Sequence, residues 1–260
     1  MKVTVCQWNP HPDELSKNLS ELAKHIQSHG TDFVLLPEMS FSPWLAASRE
    51  PDRMAWGRAV FDHKTQIAQL DQLKAKAIMG TRPILTPCGS RRNQAYVWTE
   101  GRPEASPLHE KYYLPDEPGY WEATWYERGE KQFDVARALG ARIGVQICTE
   151  MWFFEWARHY ANSRVDILCI PRATPNGSTE KWLAGGQTAA VCSGAYCLSS
   201  NLWAPQVSGS EVDLGGLGWV IDPDGNVLAT TSEAQPFVTV ELDLNVSKKA
   251  KDTYPRYVAE

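Results

Sequence analysis

The sequence predicts an α/β protein in which a mixed sheet system is covered by helices. Three observations carry this. Short apolar runs of strand length are followed by stretches of helical periodicity, in the first half of the chain and again after Cys148. Between and after these units, pairs of strand-like runs are joined by tight turns, at Glu100-Gly101 and at Pro223-Asp224-Gly225. At 260 residues with 43% hydrophobic side chains, the chain can bury a sizeable core without disulfide or metal staples.

The elements follow in order. Val3 to Trp8 alternates as a first strand, and Leu15, Leu19, Leu22 and Ile26 then fall on one face of a helix that Gly30 can terminate. Phe33 to Leu36 is a continuous apolar run stopped by Pro37. Glu38 is therefore expected just beyond the carboxyl end of a buried strand, where open α/β sheets hold ligands. A second helix is expected around Lys64 to Ala77, followed by strands near Ile78 to Gly80, Pro83 to Leu85 and Gln94 to Thr99. Ser106 to Glu110 reads as a strand with Lys111 at its end. The stretch from His109 to Gly129 is rich in aromatics, proline and charge, and such irregular segments on a rigid scaffold often carry function.

Arg142 to Ile147 reads as another buried strand, ending at Cys148 and turning into a helix through WFFEWARHYA. Val165 to Ile170 is a strand, Glu180 to Val191 a helix and Ala195 to Leu202 a strand, while GWVIDPDGNVLAT is a hairpin. Residues 1–245 are expected to form one domain, and the polar segment 246–260 a tail packed on the surface or on a neighbouring subunit.

Composition narrows the function classes. The formal net charge is -5 and Lys and Arg are scattered, so there is no electrostatic footprint for nucleic acid and a small-molecule partner is expected. No run is long enough to cross a bilayer, and MKVTVCQW begins as a strand without the features of a signal peptide, which points to a cytoplasmic protein with no membrane partner. The six cysteines show no CxxC pair and no metal-ligand spacing, and there is no HExxH or glycine-rich phosphate signature, so neither metal nor organic cofactor is expected. Of the eleven tryptophans, Trp121, Trp125, Trp152 and Trp156 cluster near the irregular segments, where aromatic rings serve either as core or as the wall of a small-ligand pocket.

Four residues stand out chemically. Cys148 lies at a strand-to-helix turn, a geometry that exposes a side chain above a sheet, and a helix N-terminus favours the nucleophilic thiolate. By itself such a cysteine can equally be an inert core residue. Glu38 follows its own strand in the same way, and a carboxylate there could act as base toward a thiol and then as acid toward a leaving amine; otherwise it is a solvated glutamate beginning a loop. Lys111, if fixed near a reacting carbonyl, would stabilise an oxyanion, and Glu122 could hold it in place or orient the substrate; otherwise both are surface charges.

In combination and order, LLPEMSF, HEKYYLP and GVQICTEMWF resemble the glutamate, lysine and cysteine segments of the nitrilase superfamily, the carbon–nitrogen hydrolases. The resemblance extends to VTVCQWNP, to DPDGNVLA and to FVTVELDL, and so covers nearly the whole chain. It implies a four-layer αββα sandwich, with 1–245 as the hydrolase domain, forming a homodimer through its helical face or a higher homo-oligomer. Carried over by position, it makes Glu38 the general base, Lys111 the oxyanion stabiliser, Cys148 the nucleophile and Glu122 the family's frequent second glutamate. The backbone N–H of Thr149 completes the oxyanion hole.

PDEPGYWEATWYERG and CTEMWFFEWAR are similar to segments of N-carbamoylputrescine amidases. The implied reaction is hydrolysis of a non-peptide C–N bond in a small amide or N-carbamoyl amine, through a Cys148 thioester, with release of ammonia or an amine. ω-Amides and nitriles are the alternative substrates. Trp121, Trp125, Trp152 and Glu150 are expected to bind the substrate, whose cationic end would suit aromatic faces and carboxylates such as Glu117; Glu150 could instead be a structural residue of the turn. The helix in EKWLAGGQTAAVCSGAYCLSSN departs from the family pattern, with Gln187, Thr188, Cys192 and Ser193 near the usual Arg-Ala and Glu-Asn pairs. Two rivals remain: a cysteine peptidase pairing Cys148 with His109 or His159, and a non-catalytic binding or scaffold protein of the same fold.

Overall fold

Apolar runs and their turns resolve into strands β1 (Lys2–Trp8), β2 (Phe33–Leu35), β3 (Ala77–Leu85), β4 (Arg91–Thr99) and β5 (Ser106–Glu110) in the first half of the chain. The second half supplies β6 (Ala136–Ala138), β7 (Ala141–Val145), β8 (Ile167–Arg172), β9 (Tyr196–Ala204), β10 (Leu214–Gly215), β11 (Trp219–Ile221), β12 (Val227–Thr230) and β13 (Phe237–Glu241). The helices are α1 (Pro12–His29), α2 (Arg53–Ile67), α3 (Glu122–Trp125), α4 (Phe154–Asn162), α5 (Thr179–Ser193) and α6 (Leu244–Ala250). These elements come from a computed structural model that describes residues 1–102, 104–204 and 212–258.

The strands pair in the order β5-β4-β3-β2-β1-β9-β8-β7-β6. β1 is the hinge of this path. Its residues Val3 to Val5 pair in parallel with β2, whereas Gln7 and Trp8 pair in parallel with Asn201 and Leu202 of β9. β2 and β3, like β7, β8 and β9, are parallel neighbours, so the carboxyl ends of β2, β7 and β8 share one edge. β13 adds antiparallel to β1, and the β11–β12 hairpin adds to β9.

Packing turns this path into layers. Phe33 and Leu35 belong to a cluster with Val3, Val5 and Met79 from the first half-sheet and with Ile143, Val145, Ile167 and Cys169 from the second. Val34, and Leu36 just after β2, point the other way and pack with Leu22 and Ile26 of α1 and Trp56, Ala59 and Ile67 of α2. A strand buried on both faces must be apolar at every position, which is why FVLL shows no alternation. Tyr160 of α4 and Trp182, Ala189 and Ala190 of α5 cover the second half-sheet. The result is helix, sheet, sheet, helix, the αββα order expected; each fully buried large side chain contributes about 1.5–3 kcal/mol.

Several local expectations shift. The second helix lies at Arg53–Ile67, not at 64–77, because the Asp52 carboxylate caps it, accepting from the Met54 and Ala55 N–H groups at 2.7 and 3.2 Å. Residues Leu70–Leu73 form only a short 3-10 turn. The runs at Ile78 and Pro83 are one strand, since β2 pairs with β3 only at Ala77 to Met79 and leaves the Pro83 edge without a ladder to break. The helix expected through WFFEWARHYA is α4, and between it and β7 the residues Cys148–Trp152 form a separate 3-10 turn. The boundary expected at residue 245 falls inside α6, and the tail beyond it is anchored: Lys251 Nζ donates to Gly194 O at 2.5 Å and Arg158 Nη2 to Val258 O at 2.8 Å.

Candidate active site

Cys148 lies three residues past the end of β7 and has φ of +53°, the left-handed region. For a residue with a Cβ this costs about 1–2 kcal/mol, so the surroundings must impose it. They do so from both sides. The Tyr160 hydroxyl accepts from Val145 N–H at 3.2 Å and donates to Val145 O at 2.9 Å, and its ring lies so close to Gly144 that a Cβ there would sit 2.8 Å from it. Beyond the turn, Glu150 accepts from Ile147 N–H at 2.7 Å, and Gln146 Nε2 donates to Glu150 O at 2.8 Å. Ala173, just past β8, lines the same cavity as Cys148.

Glu38 is fully buried after β2 and Pro37, with its N–H donating to Arg172 O at 3.3 Å. Its Oε1 accepts from Asn93 Nδ2 at 2.7 Å and from Lys111 Nζ at 2.9 Å. Oε2 is buried with no hydrogen-bond partner among the described residues. Lys111 Nζ also lies 2.6 Å from Glu122 Oε2, which the Tyr126 hydroxyl bonds as well. Lys111 is positioned from the sheet, since its N–H donates to Asn93 O at 2.9 Å at the open end of the β4–β5 pair.

These groups set one another's charge. Burial pulls Lys111 down, but Glu122 and Glu38 more than offset it, so the ammonium is held well above the usual lysine range. Burial pushes Glu122 up to about 7, with Lys111 opposing and Glu38 adding to the rise. Burial also raises Cys148 well above the usual thiol range, and the Glu38 charge outweighs the opposing Lys111. At neutral pH the sulfur therefore carries its proton while Lys111 is charged.

Cys148 and Glu122 line a cavity of about 430 Å³ walled by Tyr120, Trp152 and Trp182, with Thr149 beside the cysteine. The exposed Asp116, Glu117 and Lys181 also line it. The structure thus brings Glu38, Lys111, Glu122 and Cys148 together and puts Trp152 on the wall. Trp121 and Trp125, expected to bind substrate, are not among the lining residues. Four apart, they share the face of the α3 turn that packs on the 44–48 loop: Trp121 N–H donates to Ala46 O at 2.9 Å and Trp125 Nε1 to Ser48 O at 2.7 Å. Glu122 leaves the turn in another direction.

Glu150, also expected to bind substrate, has the structural role instead. It is fully buried and accepts from Ile147 N–H, from Tyr112 N–H at 2.7 Å and from His109 Nε2 at 2.9 Å. His109 Nδ1 is bonded to Gln132 O and His159 Nε2 to Phe133 O, so both histidines of the peptidase alternative are committed elsewhere. Sequence reasoning missed Asn93, Tyr120, Tyr126, Arg172 and Trp182. For Asn93 and Arg172 a signal existed, a polar residue inside or ending an otherwise apolar strand, which demands a buried partner.

A family model described as carbon-nitrogen hydrolase matches residues 2–252. An N-carbamoylputrescine amidase of Solanum tuberosum is 21% identical over 261 residues, covering 94% of this chain and 87% of that protein. A chloroplastic omega-amidase of Arabidopsis thaliana is 26% identical over 266 residues, covering 97% and 70%. The crystal structure of a carbon-nitrogen hydrolase from Helicobacter pylori G27 superposes with a TM-score of 0.87 at 18% identity, over 98% of this chain and 94% of that one.

Proposed function

The chain belongs to the carbon–nitrogen hydrolase family, the nitrilase superfamily, and on that premise we propose that it hydrolyses a small amide or N-carbamoyl amine through a thioester on Cys148. The observation that carries this reading is the Glu38 carboxylate: Oε1 is held by Lys111 and Asn93, while the buried Oε2 has no partner among the described residues, in the same cluster as a protonated thiol. An unpaired buried carboxylate oxygen costs stability, and a proton-transfer role explains its retention.

A thiol held protonated cannot attack without a base acting in the same step. Glu38 takes the proton from Sγ as Sγ bonds to the carbonyl carbon, and the carbonyl electrons move onto oxygen. Lys111 has three N–H donors, two of them facing Glu38 and Glu122, so one remains for that oxygen. The Thr149 N–H, near the start of the 3-10 turn where backbone donors lack intrahelical acceptors, is the second donor. As the intermediate collapses, nitrogen leaves with the C–N electron pair and takes the proton from Glu38 as ammonia or an amine. Glu38 then removes a proton from water, whose oxygen attacks the thioester, and the sulfur leaves with that proton to regenerate the thiol.

A cavity of about 430 Å³ suits a small substrate, and a cationic end meets Asp116, Glu117 and the face of Tyr120, on the side away from Lys181, whose ammonium lies over the Trp152 ring. The Solanum tuberosum relative, named for an N-carbamoyl amine, supports the same choice. A homodimer or higher homo-oligomer goes with this reading, and sedimentation tests it. No helix among the described residues is long and apolar enough to cross a membrane.

The test is ammonia release from a panel of N-carbamoyl amines, primary amides and nitriles, with Cys148→Ala as control. Release that disappears in the variant supports the proposal and ranks the substrate classes. Silence across the panel, with Cys148 unreactive toward alkylation, overturns it in favour of a non-catalytic protein.

A further inference from the structure

Arg172 ends β8 and is fully buried. Its guanidinium donates to Ser199 Oγ, Thr174 Oγ1 and Leu217 O, each at 2.7 Å, and lies 4.0 Å from the Trp219 ring centroid and 5.5 Å from that of Trp182. No carboxylate among the described residues is within ion-pair distance of it. Burial accordingly lowers its pKa to about 9, with the charges of Cys148 and Glu38 opposing the fall. A buried cation with only neutral acceptors is costly, and an apolar side chain would serve a packing role better.

Its place in the fold indicates what the charge is for. The Arg172 carbonyl accepts the Glu38 N–H, and the next residue, Ala173, lines the cavity with Cys148. Thr174 and Trp182, both touched by the guanidinium, line the cavity. The charged groups of the cluster are Glu38 after β2, Lys111 after β5 and Glu122 on α3. The other titratable groups near it are Tyr120, Tyr126, Cys148 itself and Cys197 on β9. Lys111 alone must balance Glu38, the ionised fraction of Glu122, which burial raises to about 7, and whatever charge forms on sulfur or on a substrate oxygen.

We propose that Arg172 is a positioning residue, the second buried cation of the site, which offsets the negative charge that develops around Cys148 and holds Thr174 and Trp182 as the cavity wall. The inference rests on the thioester reading only for its effect on turnover; its effect on the thiol is independent of substrate.

The experiment follows the rate of Cys148 alkylation by iodoacetamide against pH, read at peptide level by mass spectrometry because the exposed Cys88, lowered to about 7 by bonds from Thr86 and Ser90, also reacts. Arg172→Met keeps the length and apolar packing, Arg172→Gln keeps donors without charge, and Arg172→Lys keeps the charge. In either neutral variant that folds, the Cys148 profile is expected to move up by a pH unit or more, about a tenfold slower reaction at fixed pH. kcat should fall at least tenfold, and Arg172→Lys should restore most of the profile. An unchanged profile in a folded neutral variant overturns the proposal, as does a shift that lysine fails to reverse. A wild-type Cys148 that alkylates normally but turns over no substrate defeats the thioester reading alone.

Discussion

Replacing Glu150 with glutamine tests whether the nucleophile turn and the lysine loop are held as one unit. Glu150 is two residues past Cys148, and its partners His109 and Tyr112 flank Lys111, so one buried carboxylate ties both catalytic segments together. Its two oxygens serve four short contacts: Oε1 takes Tyr112 N–H and Oε2 takes Ile147 N–H, with His109 Nε2 reaching both. In Glu150→Gln the amide NH₂ must face one of these backbone donors, whichever way it is turned. A stranded buried N–H costs about 1–3 kcal/mol. Losing charge assistance in the remaining bonds brings the total to about 3–5 kcal/mol, the range for breaking a buried pair.

The penalty should depend on pH. Burial pulls His109 down, but the charge and hydrogen bond of Glu150 more than offset this, so its pKa is raised from 6.5. A histidine with a raised folded-state pKa contributes stability that is fully present below about pH 6.5 and lost as pH rises through the folded value. Urea unfolding of both proteins, followed by tryptophan fluorescence at pH 6 and pH 9, should show the larger difference at pH 6. A difference under about 1 kcal/mol at pH 6, or one equal at both pH values, would refute the ion-pair argument.

Two further outcomes follow from the same geometry. Gly144→Ala should destabilise the protein by about 1–3 kcal/mol in thermal or urea unfolding and slow Cys148 alkylation, since the added methyl would meet the buried Tyr160 ring at 2.8 Å; an unchanged melting temperature would mean that the ring yields freely. Glu122, raised from 4.5 to about 7 chiefly by burial, favours the folded state most below pH 4.5, and that contribution is lost as pH rises to about 7. Melting temperatures of the wild type should therefore fall relative to Glu122→Gln across this window, and parallel curves would contradict the assignment.

What the sequence determined by itself was local. An apolar run bounded by a proline, as at Phe33 to Pro37, or by an abrupt polar segment, as at Ile147 to Glu150, marks a buried strand and its end, and this put Glu38 and Cys148 at strand ends before any fold was known. The same runs made a mixed sheet covered by helices legible, and the αββα order of the layers came from the family resemblance. Even locally the reading slipped where a cap outweighed periodicity, as Asp52 did for α2.

Which charges meet was decided only by the tertiary structure. Lys111 reaches Glu38 across 73 residues of chain, and Asn93 reaches it across 55, because the β3–β4–β5 register carries them to the same edge. Glu150 could have faced substrate or structure; His109, 41 residues away, made it structural. Trp121 and Trp125 turned from the cavity because the 44–48 loop offers their face of α3 its acceptors. A side chain's burial and charge depend on groups brought close by sheet register and layer packing, and sequence spacing carries no measure of either.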